Sequence, residues 1–168
     1  KATADTELKK QRWKESNYPL HATLSLTGEP TFYPKLSALL SEFHKLGMST
    51  FLVTNGTLPK ALKALDPLPT QLYISLQAPD EETYLKTTRP KVPNAWKSFL
   101  ESLSFMASVP TRTVLRMTLV KGLNMNNPEG YAELIKIAKP MYVEVKGFSY
   151  VGGSRSPERG LSLASMPR

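Results

Sequence analysis

Five short polar clusters close the β-rich runs of this 168-residue chain: Gly28-Glu29-Pro30, Thr54-Asn55-Gly56, Ser75 with Gln77, Lys121-Gly122 and Lys146-Gly147. Asn55 and Gln77 can both donate and accept hydrogen bonds, whereas an ionised Glu29 only accepts. Together they suit a ligand that carries an ammonium group, hydroxyls and a carboxylate, and Lys121 and Lys146 could hold an anion. Singly, each residue is equally what a helix cap or a turn requires. Capping does not need a Glu, an Asn, a Gln and two lysines to converge, so the argument for a site rests on the set. The 21–30 stretch leads it: a β-rich run stops at a glycine that lets a ligand approach the backbone, a carboxylate, and a proline that fixes the exit of the chain.

Those clusters converge only if the elements between them place their ends on one rim. Residues 1–16 read as a solvated helix whose only large apolar residues are Leu8 and Trp13. A strand is expected over 22–26. Leu36, Leu39, Leu40, Phe43 and Leu46 then recur at helical spacing over 35–46, and Gly47 supplies a stop. A strand over 49–53, a short helix over 60–65 and a strand over 71–76 follow. Asp80 is a good N-cap, with Glu81 and Glu82 in the first turn. Residues 87–91 read as a loop and 95–107 as an amphipathic helix. Strands over 113–120 and 141–145 flank a helix that opens at Pro128, and the tail from 152 reads as irregular. Five strands alternating with helices predict βαβ crossovers and a parallel sheet, hence an α/β fold. A complete eight-stranded barrel takes about 250 residues, so a partial barrel or an open sheet is expected, in one domain spanning 1–168. Either way the C-terminal strand ends share a rim, where parallel folds place their chemistry.

Composition narrows the chemistry. The formal charge is +8 and the pI about 9.7, which fits either an anionic partner such as nucleic acid or a merely basic surface. No apolar run approaches the roughly 20 residues of a membrane helix, so no membrane association is expected. The chain has no cysteine, which excludes disulfides, a catalytic thiol and thiolate ligation of zinc or iron–sulfur from within it. Arg116 interrupts the fourth β-rich run on the face of Val114 and Thr118. It either lines a barrel interior or pairs with a carboxylate such as Glu144 on the next strand. His21 and His44 read as ordinary surface histidines.

At these residues a resemblance emerges. Leu26-Thr-Gly-Glu-Pro-Thr-Phe-Tyr-Pro34, Phe51-Leu-Val-Thr-Asn-Gly56, Gln71-Leu-Tyr-Ile-Ser75 with Ala78-Pro-Asp80, Arg116-Met-Thr-Leu-Val-Lys-Gly122 and Val143-Glu-Val-Lys146 together resemble the radical-SAM enzymes of tRNA wybutosine synthesis. The likeness runs from Leu20 to Ser156 and is nearer to the archaeal stand-alone form. It implies a partial (βα)6 TIM-like barrel, here five of its six βα units, with S-adenosylmethionine at the strand ends. It further implies a [4Fe–4S] cluster that cleaves the cofactor to a 5′-deoxyadenosyl radical. The implied reaction converts N1-methylguanosine beside the anticodon of phenylalanine tRNA to 4-demethylwyosine, with pyruvate as two-carbon donor. By that pattern Gly28, Glu29 and Pro30 hold the amino group of the cofactor. Asn55 and Ser75 lie near its methionyl and ribose parts, and Lys146 flanks the adenine. Arg116, Lys121, Arg155 and Arg159 are the implied tRNA contacts, where phosphate binding would give affinity without sequence reading. A cytoplasmic monomer is expected.

The chain departs from the family at one essential point. The family holds its cluster with a C-x-x-x-C-x-x-C loop after the first strand, and neither the loop nor any cysteine is present. Cluster ligation is a thiolate task, so no metal ligand is expected here, and the chain alone should not start radical chemistry. The five strands match the family's second to sixth, and an N-terminally incomplete barrel is the expected explanation. A cluster-free tRNA-binding module and a radical-SAM enzyme acting on a small molecule are the alternative readings.

Overall fold

The computed structural model describes residues 2–167. Helix α1 (Ala2–Ser16) precedes five strands: β1 (His21–Leu24), β2 (Ser49–Thr54), β3 (Gln71–Ser75), β4 (Arg112–Leu119) and β5 (Tyr142–Gly147). Between them run α2 (Leu36–Lys45), α3 (Pro59–Lys63), α4 (Glu81–Thr88) with α5 (Ala95–Met106), and α6 (Pro128–Ala138). All pairings are parallel, and the spatial order is β1-β2-β3-β4-β5. An open doubly wound sheet reverses its strand order at a switch point; this sheet never reverses. The order is that of a barrel segment, and it decides between the two architectures left open by the sequence.

Parity along the strands sorts the side chains. Thr50, Leu52 and Thr54, then Leu72, Ile74 and Leu76, then Leu115 and Met117 are buried on the helix-covered face. There they meet Leu40 of α2, Leu62 of α3 and Phe99 and Leu103 of α5 in one core cluster. Full burial of such a side chain stabilises by about 1.5–3 kcal/mol. On the inner face Phe51, Val53, Tyr73, Ser75, Arg116 and Thr118 are only half-buried.

Several local expectations change. The first strand ends at Leu24 rather than Leu26, because Leu26 takes φ 82 and a left-handed residue cannot continue the pleat. The last strand extends to Gly147, so Lys146 lies within it and not beyond its end. Residues 87 and 88 belong to α4, which stops at a left-handed Arg89 (φ 46). His44 is not a plain surface residue: it is half-buried, and its Nε2 lies 2.8 Å from the hydroxyl of buried Thr50. The tail is more regular than its composition suggests. It forms 3-10 turns at Gly152–Arg155, Pro157–Arg159 and Leu163–Ser165, and the Lys121 N–H donates to the Ser165 carbonyl at 2.9 Å.

Candidate functional site

Glu29 forms the first corner of the rim. Its Oε1 accepts from the Thr31 N–H (3.1 Å), the Thr31 hydroxyl (2.7 Å) and the Thr54 hydroxyl (2.6 Å), while Oε2 accepts from the Asn55 N–H (2.7 Å). The carboxylate thus caps the 3-10 turn Pro30–Phe32 and ties the end of β1 to the end of β2. Oε2 receives one donor and keeps capacity for another.

Asn55 opens the next corner. Its Oδ1 accepts from the Thr57 N–H (3.0 Å) and hydroxyl (2.6 Å), closing an Asx turn and leaving its amide N–H groups without a partner among the described residues. Gly56 follows with φ 72, and a Cβ there would lie 3.2 Å from both Ile74 and Phe99. Both the backbone angle and the space therefore require glycine.

Asn55 and Ser75 line one cleft of about 290 Å³ together with Gln77, Phe32 and Tyr84. Tyr84 belongs to an aromatic layer under it, with ring centroids 5.2 Å from Trp96 and 5.3 Å from Phe99; burial pushes its phenol above the ordinary value. Across the inner face, Ser75, Arg116 and Glu144 are register partners. The Arg116 Nε donates to Glu144 Oε2 at 2.8 Å and its Cζ lies 4.6 Å from the centre of the Tyr73 ring. Both expected arrangements therefore hold at once: Arg116 lies on the interior face and pairs there with Glu144.

The ends of β3 and β4 are joined by a residue that sequence reasoning passed over. Asn124 is wholly buried. Its Nδ2 donates to the carbonyls of Gln77 (2.7 Å) and Thr118 (3.0 Å), and its Oδ1 accepts from the Val120 N–H (2.7 Å). The Tyr131 hydroxyl supports it by donating to its carbonyl at 2.8 Å. In an Asn-rich loop it looked like one turn former among three, and only its burial distinguishes it.

The remaining candidates separate. Lys121 and Arg159 line a second cavity of about 620 Å³, which Lys86 and Arg89 also line. Arg155 stays outside it, with its Nε 3.3 Å from the Tyr150 carbonyl and its Cζ 5.9 Å from the Tyr150 ring centre. Lys146 is exposed on β5 and lines neither cavity. Gly28 is exposed with φ 80 and open space around it, beside half-buried Pro30.

A parallel barrel segment with polar groups gathered at its strand ends defines a βα-barrel protein that takes its ligand at the C-terminal rim. The profile of the Radical SAM superfamily matches residues 3–135, and the chain belongs to that superfamily. It is 49% identical over 161 residues to the S-adenosyl-L-methionine-dependent tRNA 4-demethylwyosine synthase of Pyrococcus horikoshii, an alignment covering 94% of this chain and 46% of that protein. Two solved structures are similar: TYW1 with a lysine-pyruvate adduct bound (TM-score 0.80, 36% identity, 94% of this chain and 48% of that one) and archaeal TYW1 (TM-score 0.75, 35% identity, 88% and 50%). The chain spans about half the length of the curated relatives it matches. Among the described residues no helix is long and apolar enough to cross a membrane.

Proposed function

We propose that this chain supplies the cofactor-binding barrel of an enzyme that forms 4-demethylwyosine in tRNA. The substrate is N1-methylguanosine beside the anticodon of phenylalanine tRNA, pyruvate is the two-carbon donor, and the setting is the cytoplasm. The observation that carries this reading is the 49% identity to the Pyrococcus horikoshii synthase across 94% of the chain, and the polar rim agrees with it.

The rim fits S-adenosylmethionine. The Asn55 amide, Ser75 hydroxyl and Gln77 side chain face one cleft with no hydrogen-bond partner for these groups among the described residues, beside the apolar walls of Phe32 and Val92. Glu29 Oε2 offers an acceptor for an ammonium, a charge-assisted bond of the stronger kind, and Gly28 leaves its backbone approachable. Arg116, held by Glu144 and Tyr73, places an ion pair on the interior face beside Ser75. When bound and reduced, the cofactor supplies a 5′-deoxyadenosyl radical. This chain's part is to orient it and to keep its charged groups paired.

The [4Fe–4S] cluster does not fit these residues. It needs thiolates, the sequence has none, and no cluster of three metal-binding side chains occurs among the described residues. In this reading its ligands, like the lysine that handles pyruvate, lie outside these 168 residues.

The test uses the natively expressed whole protein, reconstituted with iron and sulfide and given S-adenosylmethionine, pyruvate and phenylalanine tRNA carrying N1-methylguanosine. Formation of 4-demethylwyosine, read by nucleoside mass spectrometry, is expected. The absence of cysteine favours one other reading, a cluster-free tRNA-binding module. A native mass of 18.7 kDa with no bound iron would overturn catalysis and leave a cluster-free scaffold for tRNA or ligand binding.

A further inference from the structure

The larger cavity is built for anions. Lys86 and Arg89 reach it from the end of α4, Lys121 from the turn after β4, and Arg159 from the tail, against one carboxylate, Glu158. None of the four cations has an ion pair among the described residues. The one side-chain hydrogen bond of Arg89 is a long 3.5 Å to the Glu158 carbonyl. The chain thus gathers four exposed cations on three separate segments opposite a single carboxylate, Glu158, with which none of them pairs, a surplus of positive charge that attracts an anion. Thr87, in the same wall, carries the one buried side-chain polar atom among the described residues without a hydrogen-bond partner. Buried hydroxyls are normally satisfied by protein or water.

The placement adds a direction. Thr88 lines both this cavity and the cleft that holds Asn55, Ser75 and Gln77. A strand that presents its base at the mouth of the cleft, to a cofactor held inside, can therefore run its phosphates past Thr88 into the basic cavity. A free inorganic anion would need no such continuity; a nucleic-acid strand has it by construction.

We infer that the cavity is a phosphodiester subsite, and that Lys86 and Arg89 grip the backbone of the single-stranded RNA segment whose base is presented at the rim. This rests on the tRNA reading above and extends it to Arg89, which the sequence places in the 87–91 loop, and to Lys86, to which the sequence gives no role. Recognition there is of charge, so it contributes affinity and register and no base specificity.

The experiment measures binding of the whole protein to an anticodon stem-loop RNA over a range of salt, for the wild type, Lys86→Gln/Arg89→Gln and Lys86→Arg/Arg89→Lys. Both exchanges fall at exposed positions, and S-adenosylmethionine affinity serves as the control for an intact cleft. The neutral variant is expected to bind about tenfold more weakly, with the slope of log K against log salt reduced by about 1.4, at ~0.7 per lost single-strand phosphate contact. The charge-conserving variant should restore both. Wild-type RNA binding with unchanged affinity and slope in the neutral variant overturns the subsite and leaves the tRNA reading standing. No salt-dependent RNA binding by the wild type overturns both.

Discussion

The Glu29 carboxylate and the Thr54 hydroxyl meet at 2.6 Å, joining the loop after β1 to the last residue of β2. The rim is therefore not a row of independent loops. One acidic side chain sets the spacing of its first two corners, and the oxygen left with one donor is the oxygen available to a ligand.

Glu29→Gln should accordingly affect two things at once. An amide presents one oxygen where the carboxylate uses two, so a donor loses its acceptor and the charge assistance goes with it. A loss of about 1–2 kcal/mol in unfolding free energy is expected, with weaker S-adenosylmethionine binding in the whole protein. Denaturant titration and calorimetric binding read the two effects. Unchanged values in both would remove Glu29 from the rim.

Asn124→Leu keeps the branched outline but orphans the Val120 N–H and the Gln77 and Thr118 carbonyls. Leaving buried groups unsatisfied costs about 1–3 kcal/mol each, so a drop of several kcal/mol in stability is expected. Asn124→Asp keeps the acceptor for the Val120 N–H but turns its second oxygen onto the Gln77 and Thr118 carbonyls, so it should be no better. Hydrogen exchange at Val120 is the check: protection there that survives Asn124→Leu refutes the bond to Asn124.

Gly56→Ala combines a left-handed backbone with a crowded pocket against Ile74 and Phe99. A cost of about 2–3 kcal/mol is expected. Gly28→Ala has open space and bears only the backbone cost, about 1–2 kcal/mol. Equal melting temperatures for the two variants would contradict the packing described at Gly56.

Two groups set opposite pH limits. Burial, then the nearby charge of Asp80, pushes the Tyr131 phenol up to about 12. The unfolded phenol ionises from about pH 10. The stability tied to this group is complete below that value and falls as pH rises from about 10 to 12, at up to ~1.4 kcal/mol per unit. Tyr131→Phe should remove that slope. Asp80 is held below the ordinary carboxyl value, chiefly by the Thr83 N–H it accepts from at 2.8 Å. Its contribution is present above about pH 4 and disappears as pH falls through the lowered value. At neutral pH Asp80→Ala should cost about 1 kcal/mol of helix capping, and below that range it should match the wild type.

Local signals were readable in advance, and contacts across the chain were less so. The Asp80 cap, the apolar stripe of α2 and the Gly47 stop depend on neighbours within one or two turns, and the structure has them at those places. The Arg116–Glu144 pair was accessible because strand alternation and a parallel neighbour put the two on one face. The four donors of Glu29 come partly from residues 25 and 26 positions away, and only the β1–β2 register brings them together. Asn124 was invisible for a related reason: its importance lies in burial, which an Asn-rich loop does not advertise. Lys86 and Arg89 gain a role from the tail folding back beside them, a long-range event with no local mark.

Thr88 stands as a party wall between the cleft and the basic cavity. Two occupants that share a wall are thermodynamically linked. Whatever factor an anion in one chamber applies to the affinity of a guest in the other, the guest returns by the same factor. Thr88 is the contact through which such coupling passes. In the proposed reaction, a backbone gripped in the basic cavity and a cofactor seated in the cleft would each make the other harder to lose.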